Sequence, residues 1–584
     1  MACQRADDRG RDRTDASARP LRRATGLAGH MPPGCAPRPN LLCSGRREAV
    51  AVKRRVSGTD KHNHLRRDMS WEPEVEEIKR RVAFAEEMGG EKGIEVQRQR
   101  GKLTVRERLD LFADQKSFQE IGRLAGAATY ENDQLQHVRP SNTVIGLCEL
   151  NGRKVVVNAG DFTVRGGASD AAIGNKGGHA QNLARDWRLP YVRLLDATGG
   201  SVKTFEQIGR TYIPTNPVTP GIQDILCEVP VVSAALGSVA GLPAVDACLS
   251  HFNVMVKGIS QVFPGGPPVV KAALGVDITK EDLGDERTQV FEAGVIDNLA
   301  DSEEHAFDMI RQFLSYLPNN VWQMPPRMET GDDPERRDEY LLSAIPRNKR
   351  RIYDAYKVLD AVLDKDSFFE ITPHYGRSRI VGLGRLNGYP CGVMINNPKR
   401  LGGSMDVTAG TKVIRFLGMC DTFHLPMVYL ADEPGFMAGL DQQKLGIVRA
   451  GAKMLCATLR TQMPWCSVII RQLYGVAGQC HDRPSGMFKR VAWPSGHWGS
   501  MHVSGGVSAA YRRVIAESDD PEAKQAEIEA QLDALSSPFK TAEAFNIEDI
   551  MDPRDTRPML CEFVEMAQSI IQTQLGPTST PFMP

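Results

Sequence analysis

The chain has 584 residues, of which 41% are hydrophobic, and its 72 Lys and Arg residues balance its 72 Asp and Glu residues. This length predicts two large domains, and the hydrophobic content is that of a globular protein. The balanced charge leaves no overall basic field for nucleic acid or anionic lipid, and no stretch reaches the ~20 consecutive apolar residues of a membrane span.

Residues 1–68 differ in composition from the rest of the chain. They are rich in Arg, Gly and Pro, show no hydrophobic period and lack the apolar centre of a secretory signal. We interpret residues 1–68 as a disordered segment or a non-native extension ahead of a start at Met69. Twelve scattered cysteines without a Cys-x-x-Cys pair indicate neither a zinc ribbon nor a redox dithiol, and they favour a cytoplasmic location.

Regular hydrophobic patterns begin at Trp71. "WEPEVEEIKRRVAFAEEMGG" predicts a helix with an exposed charged face, and "GKLTVRERLDLFADQKSFQEIG" predicts a second helix followed by a turn. Apolar strands then alternate with helical stretches, as in "YVRLLDA", "VPVVSAALG", "MVYLADE" and "CSVIIRQLYG". This alternation predicts an α/β architecture with crossover connections.

The second half of the chain repeats the first. "GLCELNG" at Gly146 returns as "GLGRLNG" at Gly382, an offset of 382 − 146 = 236. Asp196 in "LDATGG" returns as Asp432 in "LADEPGF" at the same offset, 432 − 196 = 236. A register held over this distance indicates a duplicated unit.

The start of the repeat has a different offset. "SF" at Ser117 returns at Ser367, an offset of 367 − 117 = 250, so the first copy has an extra segment between Ile121 and Gly146. We predict a first domain at residues 69–335 and a second at residues 336–584. The charged, Pro-rich stretch "QMPPRMETGDDPERRDEY" is the predicted linker.

Small-residue turns follow two strands in each copy, at residues 198–200, 238–241, 434–436 and 475–478. Such a turn leaves backbone N–H groups free at a helix N-terminus, where they can stabilise an oxyanion. A tight turn without function is the alternative for any one of them, but four in matched positions favour function. The chain has no Gly-x-Ser-x-Gly, His-Glu-x-x-His or Walker motif, and we interpret His481, His497 and His502 as structural or exposed rather than catalytic. The pattern predicts that substrate or cofactor supplies the base.

Several longer motifs resemble one family. The chain is similar to the carboxyltransferase (beta) subunits of biotin-dependent acyl-CoA carboxylases, of the propionyl-CoA and methylcrotonyl-CoA carboxylase type. The resemblance runs from about Met69 to about Leu575 and rests on "GKLTVRERLDLF", "GDFTVRGGASDAAIGNKGGHA", "VFPGGPPVVKAALGVDITKEDLG", "INNPKRLGGSMDVTAGTKVIRFLGMCDTFHLP", "DEPGFMAGLDQQKLGIVRAGAKML" and "DPRDTR".

The resemblance implies a fold, cofactors and partners. The α/β fold would be a tandem duplication of two crotonase-like (ClpP/crotonase) domains, with acyl-CoA on the first and biotin on the second. Biotin would arrive as carboxybiotin on a separate carrier, coenzyme A as the thioester substrate, and this chain would bind no metal. The expected partners are a biotin carboxylase or biotin carboxyl carrier subunit and further copies in a hexamer or other dimer-based oligomer, without nucleic acid or membrane.

The resemblance also assigns oxyanion donors. Gly199 and Gly200 match the turn that holds the acyl thioester oxygen, with Thr198 within one residue of that register. Val476 and Ala477 match the backbone amides that hold the biotin ureido oxygen. In the implied mechanism both oxyanions need main-chain donors, and no protein side chain acts as acid or base.

Further positions follow from the same motifs. The implied substrate-pocket residues are Gly166, Gly167, Gly435, Phe436, Gly478 and Gln479. Lys271 is a candidate partner for a CoA phosphate, and a solvated lysine is the equal alternative. Family members that handle small acyl groups commonly have "AYGGAYD" where this chain has "LYGVAGQ", so we expect a different or larger acyl group.

Three functions stay open on this basis. The chain is expected to move a carboxyl group between carboxybiotin and the alpha, or vinylogous gamma, carbon of an acyl-CoA. The alternatives are the carboxyltransferase subunit of a biotin-dependent acyl-CoA decarboxylase and a catalytically silent assembly partner. A Met-Lys-Met biotinylation hairpin and an ATP-binding carboxylase domain are both absent from the sequence, so carboxylation of biotin requires another protein.

Overall fold

The structure is a computed structural model that describes residues 70–213, 221–349, 351–483 and 485–584. Its strands form two sheets of eight strands each and one two-stranded hairpin. In the first half the strands are β1 (Gln119–Ile121), β2 (Gly126–Glu131), β3 (Gln134–Pro140), β4 (Thr143–Leu150), β5 (Arg153–Gly160), β6 (Tyr191–Ala197), β7 (Val231–Ala240), β8 (Phe252–Val256), β9 (Gln261–Phe263) and β10 (Asn298–Ala300). In the second half they are β11 (Phe369–Ile371), β12 (Arg379–Leu386), β13 (Tyr389–Asn396), β14 (Met427–Glu433), β15 (Trp465–Tyr474), β16 (Phe488–Ala492), β17 (His497–Gly499) and β18 (Asp549–Ile550).

The two sheets have the same topology. The first runs β1-β4-β5-β6-β7-β8-β10 with β9 beside β7, and the second runs β11-β12-β13-β14-β15-β16-β18 with β17 beside β15. In each sheet the first two pairings are antiparallel and the others are parallel. The duplication predicted from the constant offset is therefore confirmed strand by strand.

The hairpin β2-β3 is an addition to the first copy. It lies between β1 and β4 in the sequence and forms a separate two-stranded sheet. In the second half β11 is followed directly by β12, with no strand between them in the sequence. This hairpin is the extra segment that the change of offset from 250 to 236 predicts.

Helices cover the sheets and connect their parallel strands. In the first half they are Glu72–Glu86, Gly90–Gln99, Val105–Phe112, Lys176–Trp187, Lys203–Ile208, Ile222–Glu228, Leu242–Cys248, Pro267–Leu274, Lys280–Gly284 and Glu303–Tyr316, with a π-helical turn at Arg287–Glu292. In the second half they are Leu341–Ala344, Ala355–Val362, Val407–Thr422, Leu440–Lys444, Ile447–Arg460, Gly475–Gly478, Val503–Ala510, Arg512–Ala516, Pro521–Asp533, Pro538–Glu543 and Thr556–Gln574. None of the described helices is both long and apolar enough to cross a bilayer.

Local sequence signals account for these elements. The helix Val105–Phe112 begins at a capping box, in which the Thr104 hydroxyl accepts from the Glu107 amide and the Glu107 carboxylate accepts from the Thr104 amide. All seven residues of β14 are buried, as expected for a parallel strand covered on both faces. Its sequence therefore shows a continuous apolar run rather than an alternating one.

The two halves share one core. Phe252 and Phe313 stack with ring centroids 4.8 Å apart, and Phe369 of the second half meets Phe252 edge-on at 5.4 Å. The buried ring of His251 lies 4.8 Å from Phe423 and 4.5 Å from Phe582. One buried hydrophobic cluster therefore extends through both sheets.

The predicted boundary between residues 335 and 336 stays a prediction. The linker stretch, residues 323–340, contains neither helix nor strand, and residues 71–584 form one compact unit. The interpretation of residues 1–68 lies outside the described residues.

Candidate active site

The first predicted oxyanion turn follows β6. The Thr198 backbone N–H and hydroxyl both donate to the Gly166 carbonyl oxygen, at 3.0 and 2.9 Å, and the Ser169 N–H donates to the Gly199 carbonyl oxygen at 2.8 Å. Gly199 has φ +78°, and a Cβ there would lie 2.5 Å from the Ala240 carbonyl oxygen. Only glycine fits this position, because both the backbone conformation and the space exclude a side chain.

The amides of this turn differ in availability. The Thr198 N–H donates to the Gly166 carbonyl oxygen, and a donor role for Thr198 stays a prediction. Gly199 forms an isolated bridge with Ala168. The Gly200 N–H has no hydrogen-bond partner among the described residues, and a Cβ at Gly200 would meet nothing within 4 Å. Gly200 is therefore the donor that the geometry leaves open.

A glycine pair lies beside this turn. Gly166 and Gly167 both have φ +65°, and a Cβ on Gly167 would lie 2.7 Å from the Ala197 Cα. The structure thus brings the predicted pocket residues Gly166 and Gly167 together with the predicted donors. At the equivalent place in the second half, Gly402 and Gly403 have φ +63° and +85°.

The first turn of the second half follows β14. The Met405 N–H donates to the Gly435 carbonyl oxygen at 3.0 Å, matching the bond from Ser169 to Gly199 at the 236-residue offset. The Phe436 ring packs so closely over Gly451 that a Cβ there would lie 2.4 Å from it. A Cβ on Gly435 would lie 3.9 Å from the Tyr474 carbonyl oxygen, so this turn adjoins the end of β15.

The second donor turn is the short helix Gly475–Gly478, directly after β15. Val476 is 53% exposed, Ala477 and Gly478 are buried, and Gln479 is exposed. Backbone N–H groups in the first turn of a helix have no partner within the helix. The Val476 and Ala477 amides are therefore free to bind an oxygen at the carboxyl end of β15.

The predicted residues form two sets. Gly166, Gly167, Gly199 and Gly200 lie at the first sheet, and Gly435, Phe436, Val476, Ala477, Gly478 and Gln479 lie at the second. No hydrogen bond joins the two sets among the described residues. Lys271 belongs to neither set. It lies on the helix Pro267–Leu274, where its exposed ammonium group pairs with Asp277 at 2.7 Å.

A buried aspartate precedes the first turn of each half. Asp196 accepts from Lys102 at 3.0 and 2.8 Å, from Arg108 at 3.0 Å and from Gln97 at 2.9 Å. Burial lowers the pKa of Lys102, and the Asp196 charge opposes that effect. Sequence reasoning used Asp196 only as a landmark, because its partners lie 88 to 99 residues away in the chain.

The equivalent Asp432 is held differently. The Gln472 backbone and side-chain amides both donate to its Oδ1 at 3.1 Å, and Arg471 Nη1 lies 3.8 Å from its Oδ2. Burial raises the pKa of Asp432, and the charge of Arg471 opposes that rise. Each aspartate fixes the strand end that leads into a donor turn.

Three histidines lie around the second site. His502 Nε2 lies 3.1 Å from the Pro434 carbonyl oxygen, and its ring lies 4.1 Å from that of Tyr474. The Tyr474 hydroxyl bonds His497 Nδ1 at 3.0 Å. His481 is buried against the Gly478 carbonyl, and burial lowers its pKa. Among the described residues no group of three or more His, Cys, Asp or Glu side chains is placed to hold a metal ion.

Comparison with known proteins extends these observations. The carboxyl transferase domain family matches residues 96–576. The chain is 34% identical over 513 residues to the propionyl-CoA carboxylase carboxyltransferase subunit of Haloferax mediterranei, covering 87% of this chain and 98% of that protein. It is 32% identical over 502 residues to the methylmalonyl-CoA decarboxylase subunit alpha of Veillonella parvula, covering 85% and 96%.

Solved structures agree with the sequence relatives. The transcarboxylase 12S hexamer, solved with methylmalonyl-coenzyme A and methylmalonic acid bound, superposes with a TM-score of 0.77 at 28% identity, over 86% of this chain and 96% of that one. A single-chain, multi-domain long-chain acyl-CoA carboxylase superposes with a TM-score of 0.70 at 25% identity, over 84% of this chain and 50% of that one.

Fold and site together define an α/β enzyme built from two tandem crotonase-like units. The chain belongs to the carboxyl transferase domain family, and within it to the carboxyltransferase (beta) subunits of biotin-dependent acyl-CoA carboxylases. The family resemblance noted in the sequence is confirmed.

Proposed function

We propose that this chain moves a carboxyl group between biotin on a separate carrier protein and the alpha, or vinylogous gamma, carbon of an acyl-CoA. The observation that carries the proposal is the pair of donor turns at the ends of parallel strands, one after β6 in the first sheet and the other after β15 in the second. One turn would serve the acyl thioester and the other the biotin ring.

The first turn suits a thioester oxygen. That oxygen gains negative charge when the neighbouring carbon loses its proton, and the Gly200 amide would donate to it. The open space in front of Gly200 supports this role, since no side chain blocks approach to the backbone. Loss of one such donor typically costs ~10²–10³ in rate.

The second turn suits the biotin ureido oxygen. The Val476 and Ala477 amides would hold that oxygen, because both lie in the first turn of a helix and neither is consumed within it. Carboxylated biotin, when bound, supplies the carboxyl group. The chain contributes fixed backbone donors and a surface that positions both substrates.

The pocket residues favour an acyl group other than the smallest ones. Gly478 is buried, and a Cβ there would lie 3.2 Å from the Leu473 carbonyl carbon, whereas Gln479 is exposed beside it. Gln479 is neutral and Gly478 has no side chain, where family members that handle small acyl groups commonly have an acidic and an aromatic residue. We therefore propose an acyl group that is different from propionyl or larger than it.

A second candidate function reverses the direction of transfer. The relative from Veillonella parvula is a methylmalonyl-CoA decarboxylase subunit, and its similarity covers nearly its whole length. Carboxyl transfer between biotin and acyl-CoA is reversible, so the same turns serve both directions. Transfer is therefore measured in each direction, from carboxylated carrier to acyl-CoA and from carboxylated acyl-CoA to free carrier.

Partners and location belong to the same proposal. Large apolar side chains are exposed on helices of both halves, including Val269 and Leu274 in the first half and Val448 in the second. Exposed apolar surface of this kind supports assembly with further copies and with a biotin carboxylase or carrier subunit. We propose a dimer-based oligomer such as a hexamer, a cytoplasmic location and no metal ion in the transfer site.

The test is carboxyl transfer by the purified chain. Carboxylated biotin carrier protein is mixed with a panel of acyl-CoA thioesters from acetyl to long, branched and aromatic groups, and carboxylated thioester is detected by mass spectrometry. We expect product from at least one member. Folded protein that gives no product while a control transferase accepts the same carrier would contradict the proposal and leave a silent partner as the remaining function. Parallel incubation of carboxylated thioesters with free carrier tests the reverse direction.

A further inference from the structure

A cavity lies beside β15, the strand that leads into the helix Gly475–Gly478. Its volume is about 410 Å³, and it opens between the segment that precedes Ala355–Val362 and the ends of β15 and β17. The lining residues are Leu341, Leu342, Ile345, Pro346, Arg347, Lys349, Arg471, Pro494, Ser495, His497 and Pro553. None of the residues placed above in the two donor turns lines it.

One wall of this cavity is basic. Arg347, Lys349 and Arg471 line it, and no acidic side chain does. The ammonium group of Lys349 lies 3.2 Å from Asp533 and Arg471 Nη1 lies 3.8 Å from Asp432, while Arg347 has no ion pair among the described residues. At least one full positive charge therefore faces the cavity without a balancing carboxylate.

His497 also lines the cavity, and its pKa is lowered. Burial, followed by the charges of Lys349 and Arg471, lowers the pKa of His497 to about 4. The charge of Arg347, which no carboxylate balances among the described residues, gives the cavity a positive potential. That potential attracts an anion from solution.

Part of the cavity wall is apolar. Leu341 and Ile345 are at least half-buried and Leu342 is 52% exposed, and all three line the cavity. A bare inorganic anion would leave this wall in contact with water. A ligand with one negative group and a short aliphatic tail covers the apolar wall and meets the basic one.

We propose that this cavity binds a small aliphatic monocarboxylate, with its carboxylate at Arg347, Lys349 and Arg471 and its tail against Leu341, Leu342 and Ile345. Arginine presents a planar pair of N–H donors that matches a carboxylate. The site adjoins the transfer centre through two contacts, since Arg471 faces Asp432 and His497 bonds Tyr474.

The probe is butyrate, and its binding to the full chain is measured by calorimetry and by saturation-transfer NMR. Neutral n-butanol and cationic n-butylamine have the same tail without the carboxylate, and inorganic phosphate has the charge without the tail. We expect saturable binding of butyrate that is stronger than that of all three. Equal binding of butyrate and butanol, or preferred binding of phosphate, would overturn the proposal.

Variants locate the site. Arg347→Gln with Lys349→Gln removes two exposed cations, and we expect butyrate affinity to fall roughly tenfold or more. Lys357→Gln with Lys365→Gln makes the same change in net charge at exposed residues that do not line the cavity, and it should leave affinity unchanged. Unchanged butyrate affinity in the first pair, with both pairs folded by circular dichroism, would also overturn the proposal. The measurement needs no carboxyl transfer, so its outcome is independent of the proposed function.

Discussion

The Lys102 ammonium group donates to both carboxylate oxygens of Asp196, and the two side chains are 4% and 0% exposed. Arg108 shares the same carboxylate and is equally buried. The first donor turn begins two residues after Asp196, so a buried ion network determines where that turn lies.

Replacing Asp196→Asn should destabilise the protein strongly. The change keeps the shape of the side chain but leaves Lys102 without its charge partner and Arg108 with Glu303 alone. Removing one partner of a buried pair costs about 3–5 kcal/mol, and we expect that fall in the free energy of unfolding, measured with urea. Asp186→Asn, at a 59% exposed side chain, is the control and should change stability little. Equal stability of Asp196→Asn and the wild type would show that the buried ion network does not contribute to the free energy of unfolding.

Replacing Gly199→Ala should abolish most of the activity. The new Cβ would lie 2.5 Å from the Ala240 carbonyl oxygen at a φ of +78°, so the turn must move. We expect kcat of carboxyl transfer to fall ~10²–10³-fold, the effect of losing one oxyanion donor. Gly505→Ala, in the helix Val503–Ala510, is the control, because a Cβ there meets nothing within 4 Å and Gly505 belongs to neither donor turn. Equal losses in Gly505→Ala and Gly199→Ala would mean that the turn is not positioned as described.

Replacing Val476→Pro tests the biotin-side donors. Proline removes the Val476 N–H, and the first turn of a helix tolerates its ring because that N–H has no helical partner. We expect a ~10²–10³-fold fall in transfer from carboxylated carrier, with the thermal midpoint little changed. Val476→Ala keeps the amide and removes only exposed side-chain atoms, so it should retain activity. Full activity in Val476→Pro would show that the Val476 amide does not bind the biotin oxygen.

Acid stability should depend on His251. Its Nδ1 accepts from the Val231 amide at 3.0 Å and its Nε2 bonds the Leu226 carbonyl at 2.8 Å, and burial lowers its pKa to about 3. Below pH 6.5 the unfolded chain takes up a proton at this histidine that the folded protein excludes until about pH 3. The folded state therefore loses roughly 4–5 kcal/mol relative to the unfolded state across that window, and nothing above it.

The variant His251→Gln should remove this loss. Glutamine keeps one acceptor and one donor but does not titrate, so its free energy of unfolding should fall less between pH 6.5 and 4 than that of the wild type. His305→Gln changes an exposed histidine and should follow the wild type. Parallel pH profiles for wild type and His251→Gln would contradict the assignment.

The sequence predicts much of this fold because duplication leaves a constant register. "YVRLLDA" and "MVYLADE" coincide with β6 and β14 in full, and the 236-residue offset pairs the Ser169–Gly199 bond with the Met405–Gly435 bond. Glycine turns are also visible in sequence, because few other residues fit those conformations.

Contacts between distant residues are not visible in sequence. Lys102 meets Asp196 across 94 residues, and His502 reaches Tyr474 only because β17 pairs with β15. Neither contact has a periodic or local signal. The sequence likewise does not show that the Thr198 N–H donates to the Gly166 carbonyl oxygen, which leaves the Gly200 N–H as the free donor of the turn.

The aromatic contact among Phe252, Phe313 and Phe369 has a consequence for the history of the chain. These rings come from both halves and shield one another from water, so either half alone would have part of its core exposed. Cleavage of the peptide chain within residues 323–340 would leave two fragments that stay associated, while either fragment made alone would expose these rings and aggregate. Each half therefore depends on the other to bury these rings. A chimaera that takes one half from a relative must also keep the aromatic residues that pack between the two halves.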